Sequence, residues 1–306
     1  MNNAYMGKLM ELAEKDHRVL HLTADNGPGF DEVFKNKFPD QFFNFGIAEA
    51  NMVSAAAGMA SAGKIPFVCS AGAFLAYRAF EFIRDDVCFQ NLNVKLVGTG
   101  SGLSMSSLGP THHTTEDIAV LRSLPGLMIL SPATPVQVSE CVRLAYKHDG
   151  PVYIRTGMNK EREFFDASYE LTVGKNDLLM DTGEDIVLFS TGSILSEVYR
   201  ACEKLSGEGV GLRIINAPCL KPLKRESIIK DIGNAKTVFT IEEHNIYGGL
   251  GGIISEAVSF AGCGVKVVPI GLKDIFAKGY GTVDTVRSKN GLDSESIYHH
   301  IKKEII

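Results

Sequence analysis

Short apolar, β-branched runs alternate with longer stretches of helical periodicity along most of the chain. Residues 19–23, 65–69, 94–97, 127–130 and 152–154 read as strands. Helices are expected between them at 49–63, 77–89, 116–123 and 135–148. A second series has strands at 186–189, 212–215, 238–241 and 267–270, separated by helices near 196–205, 225–232 and 251–260. Strands joined by helical crossovers predict parallel sheets with right-handed connections. The expected fold class is therefore α/β, with two doubly wound domains whose sheets are mainly parallel. The stretch 160–185 is more polar and loses the rhythm, which places the domains at 1–175 and 185–306.

One helix departs from the amphipathic pattern. After Glu49 come small residues at nearly every position as far as Gly63. Such a segment is expected to pack closely on several sides. A carboxylate beside it loses hydration, a setting that suits proton-transfer chemistry. The plainer reading is a first-turn glutamate favoured by the helix dipole.

Composition narrows the classes. The chain has 306 residues, 45% hydrophobic and 22% charged, as in a globular protein large enough for two cores. A net charge of −5 gives no reason to expect nucleic acid or an anionic membrane surface. The six cysteines contain no C-x-x-C pair, so reduced, mostly buried thiols are expected rather than a zinc or disulfide framework. The N-terminus has no signal-peptide pattern, and the Ala-rich stretch is too short to span a bilayer. A cytoplasmic location is the expectation. The glycine-rich pieces Gly98–Gly102 and Gly248–Gly252 complete neither G-x-G-x-x-G nor a P-loop, and tight turns explain them.

Ligands of doubly wound sheets bind beyond the carboxyl ends of the strands. Asp25-Asn-Gly-Pro-Gly29, Phe74 to Arg78, Gly109-Pro-Thr-His112-His113 and Arg155 all fall at such ends. Each has a local explanation: Asp25 as a turn former, the two histidines as loop residues that cannot easily point the same way, Phe74 as core, and Arg155 as half of an ion pair. The histidines lack the spacing and third ligand of a metal site.

Longer motifs carry a resemblance. Phe43-Asn-Phe-Gly-Ile-Ala-Glu49-Ala-Asn-Met, Arg78-Ala-Phe-Glu-Phe-Ile-Arg84, Gly109-Pro-Thr-His-His113 with the run from Glu116 to Gly126, Ser131-Pro-Ala, and Ile241-Glu-Glu-His-Asn245 with Gly248-Gly-Leu-Gly-Gly252 resemble the transketolase family. The motifs run in family order and match its C-terminal half, a pyrimidine-binding domain followed by the C-terminal domain. The resemblance implies that Glu49 hydrogen-bonds the aminopyrimidine ring of thiamine diphosphate and promotes the cofactor's activation. It places Phe74 against that ring and Asp25 and Arg78 beside the cofactor. It further assigns His112 to catalysis and to the substrate hydroxyls, with His113 at the substrate, and Arg155 to the phosphate of a sugar phosphate.

Glycine and serine near Gly100 replace a family histidine, Leu108 replaces an acidic residue, and Gly29 stands where a serine is frequent. A modified, shorter or nucleotide-linked sugar therefore fits as well as a pentose phosphate. No Gly-Asp-Gly motif occurs, so the resemblance implies that Mg²⁺ is held by a partner, an N-terminal subunit carrying the diphosphate-binding domain, in an α2β2 assembly. The expected reaction moves a two-carbon ketol unit from a ketose to an aldose. Alternatives are the decarboxylase β subunit of a 2-oxoacid dehydrogenase, a 1-deoxyxylulose-phosphate synthase-like reaction, and a non-catalytic structural or regulatory subunit.

Overall fold

The computed structural model describes residues 1–27, 29–158 and 161–305; Pro28 of the Asp25 turn and Lys160, where the polar stretch begins, lie outside them. The first sheet contains β1 (Val19–Thr23), β2 (Phe42–Asn44), β3 (Ile65–Ala71), β4 (Lys95–Thr99), β5 (Met128–Leu130) and β6 (Val152–Thr156). All of these pair in parallel. β1, β4, β5 and β6 are buried along their whole length, as strands covered on both faces must be. The second sheet contains β7 (Asp177–Asp181), β8 (Ile186–Ser190), β9 (Leu212–Asn216), β11 (Thr237–Asn245) and β12 (Lys266–Leu272), parallel except for the antiparallel edge strand β7.

One strand crosses between the units. β10 (Cys219–Lys221) lies in sequence after β9 yet pairs antiparallel with β5, so the first sheet runs β10-β5-β6-β4-β3-β1-β2. Lys221 reinforces the crossing by donating from Nζ to the Arg122 carbonyl at 2.8 Å and to that of Leu124. A single buried apolar cluster runs from Leu22 and Val53 through Leu121 and Ile129 to Ile228 and Ile254. The two units thus share a core.

The helix opened by Glu49, α3 (Glu49–Ser61), corrects the expectation of burial on several sides. Glu49, Met52, Val53, Ala56 and Ala57 are buried, a one-faced stripe at helical spacing. Asn51 and Gly58 on the opposite side are exposed, and Ser54 and Ala55 are half-buried. The expected helix at 77–89 is instead two π-helical segments, Phe74–Arg78 and Ile83–Cys88, flanking one α turn at Phe80–Phe82. Such widened turns re-aim side chains and recur at functional sites. Among the described residues the cysteines are free, five buried and Cys263 half-buried, and no helix is long and apolar enough to cross a membrane.

Candidate active site

Chain order places the topological switch of the first sheet between β1 and β3: β2 adds on one side of β1 and β3 on the other. Ligand crevices of parallel sheets open at this point. The loop after β1 and the turn after β3 meet there around a cleft of about 350 Å³, lined by Asp25, Asn26, Phe30, Phe74, Met105 and His112 among others.

Asp25 sits in the left-handed region at φ 55°, with its N–H donating to Asn44 Oδ1 at 3.3 Å. The exposed carboxylate is left on the rim. Phe74 is half-buried, with its ring edge-on to that of His112 at 5.0 Å. Thr111 Oγ1 lies 2.9 Å from His112 Nδ1, which leaves Nε2 as the nitrogen open to a ligand. The Arg78 guanidinium covers the Phe74 ring at 4.9 Å and donates from Nη1 to Glu49 Oε2 at 2.6 Å.

Glu49 itself is not on the cleft wall. It is 1% exposed at the first position of α3, one side chain behind the Phe74–Arg78 stack, with Ser70 Oγ at 3.5 Å from Oε1. A buried carboxylate without a partner is costly, and Arg78 supplies the compensating charge. Because Arg78 is 49% exposed, it can leave Glu49 without itself being stranded in the interior.

Two candidates lie elsewhere. Arg155 ends β6 pointing between the units and is 1% exposed. Its Nε donates to Asp117 Oδ2 at 2.9 Å, and its Nη2 donates at 2.9 Å to the carbonyls of Thr114 and Glu243. Burial works against its charge, but Asp117 holds it more firmly protonated than an ordinary arginine. Its Nε and Nη2 are taken up by this chain's own acceptors, and the side chain is buried away from the cleft that His112 lines. Asp117, fully buried in the first turn of α5 (Asp117–Arg122), is what captures it.

His113 is likewise not in the cleft. It is 3% exposed, and neither ring nitrogen has a hydrogen-bond partner among the described residues. Burial lowers its pKa, opposed by the nearby Glu243 carboxylate. The two histidines do face different ways, and of the pair His112 lines the cleft.

The loop carrying His112 is braced by the second unit, a feature not legible from motif matching. Ser106 Oγ donates to the Gly281 carbonyl at 2.8 Å, and Asn245 N–H donates to the Thr115 carbonyl at 2.7 Å. Glu243 accepts from Ser193 Oγ at 3.0 Å and Arg287 Nε at 2.6 Å. Burial opposes its charge, yet Arg287 and Ser193 hold its carboxyl below the usual range. Glu242 accepts from the N–H groups of Leu250 and Gly251 at 2.7 and 2.8 Å, capping α9 (Leu250–Ala261). The acidic pair in Ile241-Glu-Glu-His-Asn245 is thus structural, one carboxylate at a helix start and one at the seam.

Comparison with known proteins agrees with this architecture. Residues 1–161 match the family description "Transketolase, pyrimidine binding domain", and residues 174–297 match "Transketolase, C-terminal domain". The chain is 36% identical over 264 residues to an apulose-4-phosphate transketolase subunit of Actinobacillus succinogenes, covering 86% of this chain and 85% of that protein. It is 33% identical over 298 residues to a 6-deoxy-6-sulfo-D-fructose transketolase subunit of Clostridium sp. strain MSTE9, covering 97% and 92%. A solved structure described as "Split gene transketolase, inactive beta4 tetramer" superposes with a TM-score of 0.90 at 33% identity, covering 99% of this chain and 97% of that one.

Proposed function

The chain belongs to the transketolase family, and we propose that it is the C-terminal subunit of a split transketolase that moves a two-carbon ketol unit from a ketose to an aldose with thiamine diphosphate. The observation that carries the reading is the cleft at the β1–β3 switch, where Asp25, Phe74 and His112 converge in front of the Glu49–Arg78 pair. Its chemistry suits an aminopyrimidine: an aromatic face, a desolvated carboxylate one layer behind it, and no bulky side chain at Gly27.

Thiamine diphosphate supplies the centre that stabilises negative charge as a carbon–carbon bond of the ketose is cut. Phe74 would pack on the pyrimidine ring. Glu49, buried behind the Phe74–Arg78 stack, would accept or share a proton with a nitrogen of that ring, in a site dry enough for such a bond to be strong. Arg78 compensates the buried carboxylate and, half-exposed at the mouth of the site, would lie beside the cofactor. His112 Nε2 meets the hydroxyls of the sugar and exchanges a proton there.

No group of three or more His, Cys, Asp or Glu able to hold a metal occurs among the described residues, and the resemblance assigns Mg²⁺ to an N-terminal partner subunit carrying the diphosphate-binding domain. The half-exposed outer face of α3, with Ile47 (75% exposed) and Phe89 (88% exposed) nearby, is the surface that partner would cover in an α2β2 assembly. The sugars named for the relatives both end in an anionic group. With Arg155 engaged internally, the partner or the rim of the cleft must meet any such group on this enzyme's substrate.

A ketose labelled with ¹³C at C1 and C2, given with an aldose acceptor, tests the reaction type. Ketol transfer delivers both labels to the new ketose. Release of carbon dioxide from a 2-oxoacid instead would mark the chain as a decarboxylase β subunit. Cofactor binding with neither reaction would mark a structural subunit.

A further inference from the structure

Away from the switch-point cleft, a second concavity of about 270 Å³ opens at the carboxyl end of β12, between the loop that follows it, α10 (Val283–Lys289) and α11 (Ser294–Ile305). Its lining carries Lys273, Lys278, Lys289 and His300 and, among the described residues, no carboxylate. Elsewhere on this unit Lys204, Lys266 and Lys302 are each ion-paired to a glutamate. Lys273, Lys278 and Lys289 have no such pair among the described residues.

The fold sets the starting points of two of these lysines. Asn290 clamps the backbone of Lys278 from both sides, accepting from its N–H at 2.9 Å and donating to its carbonyl at 2.9 Å, while the same amide donates to the Val286 carbonyl at 2.7 Å. Lys289 lies across Gly279, a residue at φ +93°. A Cβ there would stand 2.6 Å from Lys289 Cδ and 3.3 Å from its Nζ, so glycine is what gives the lysine its bed. Like charges gathered around one hollow repel one another, and a bound anion would relieve that repulsion.

We propose that this cleft is a binding site for a small phosphate-bearing anion, held by Lys273, Lys278, Lys289 and His300. Its size suits a small metabolite rather than a macromolecular surface, and it is independent of the ketol-transfer reading. His300 gives the site a reporter. Burial and the neighbouring Lys273 lower its pKa, with Lys303 on the same helix adding to this and Glu304 opposing it. An anion among these lysines offsets their effect and favours the imidazolium, which then donates to the anion. Binding should therefore strengthen as pH falls through the histidine range.

The test uses the full chain and the ring-proton resonance of His300, assigned by its loss in His300→Gln. Inorganic pyrophosphate is titrated at neutral pH, and sulfate, whose charge is constant between about pH 5 and 8, serves for the pH arm. The expected result is a saturable movement of the His300 resonance, a raised His300 pKa with sulfate, and roughly 10-fold weaker binding in Lys278→Ala/Lys289→Ala. Lys278→Arg/Lys289→Arg, which keeps the charges, should retain binding. An unmoved His300 resonance, or a movement that the alanine pair leaves unchanged while thermal unfolding shows it folded, would overturn the proposal.

Discussion

Replacing Arg155 by Met separates a structural from a substrate-binding role. The change removes a guanidinium that bonds Asp117 and two carbonyls. Asp117 would be left fully buried, with only the Tyr153 hydroxyl at 2.8 Å. Breaking one side of a buried pair costs about 3–5 kcal/mol, and each orphaned carbonyl adds roughly 1 kcal/mol. A loss of about 5–7 kcal/mol in a chain of this size lowers Tm by roughly 10 °C. Arg155→Met/Asp117→Leu, which removes both charges, should recover more than half of that loss, because an apolar replacement of a whole pair is near neutral. Scanning calorimetry on the two single variants and the double variant reads the coupling directly. If Arg155→Met instead left Tm within about 2 °C and raised KM for a phosphorylated sugar, the guanidinium would be free for substrate and the reasoning refuted.

Three further outcomes follow from the geometry. Glu49→Gln in the assembled enzyme should cost roughly 10²-fold or more in ketol transfer with unfolding unchanged; a near-normal rate would sink its assigned role. Phe74→Ala should weaken thiamine diphosphate by about 10-fold, read by calorimetric titration of the assembly, since it loses an aromatic face worth roughly 1–1.5 kcal/mol; an unchanged Kd would show that Phe74 serves only to pack His112. Lys95 is fully buried, donating to the carbonyls of His148 and Gly150 at 2.8 and 2.7 Å, and burial pushes its ammonium down to about 7. An unfolded lysine titrates near 10.4, so between about pH 7 and 10 the unfolded chain holds a proton that the folded one does not, and stability rises with pH; below about 7 the penalty is present in full. Between about pH 7 and 9 the wild type should gain roughly 2 kcal/mol more than Lys95→Met in urea unfolding, and equal slopes would contradict the buried neutral amine.

The buried parallel strands were legible because burial on both faces demands continuous apolar runs, as in Val187–Phe189. The short or edge strands β2, β7 and β10 mix polar and apolar residues and gain their pairing from neighbours far along the chain, which no local pattern records. The helix α1 (Asn2–Lys15) did leave a signal, with Tyr5, Met6, Leu9 and Ala13 on one buried face, as did α11 with Ile297, Tyr298 and Ile301. At the site, strand-end position and motif order located Asp25, Phe74 and His112 around one cleft, with Glu49 behind it. The same logic did not show that Arg155 is buried on Asp117 rather than open to the cleft, because a strand end says where a side chain begins but not which carboxylate waits for it. Asp117 was visible only as a first-turn acid. Its burial and its reach to Arg155 and Tyr153 are products of the closed seam.

The central claim is that Glu49 completes a thiamine diphosphate site only when a partner chain supplies the rest. Co-purifying this chain with an N-terminal partner that carries the diphosphate-binding domain, and assaying ketol transfer with each component omitted in turn, tests it most directly. The account predicts transfer only when both chains, thiamine diphosphate and Mg²⁺ are present, and its loss with Glu49→Gln. Tight cofactor binding and turnover by this chain alone would contradict it.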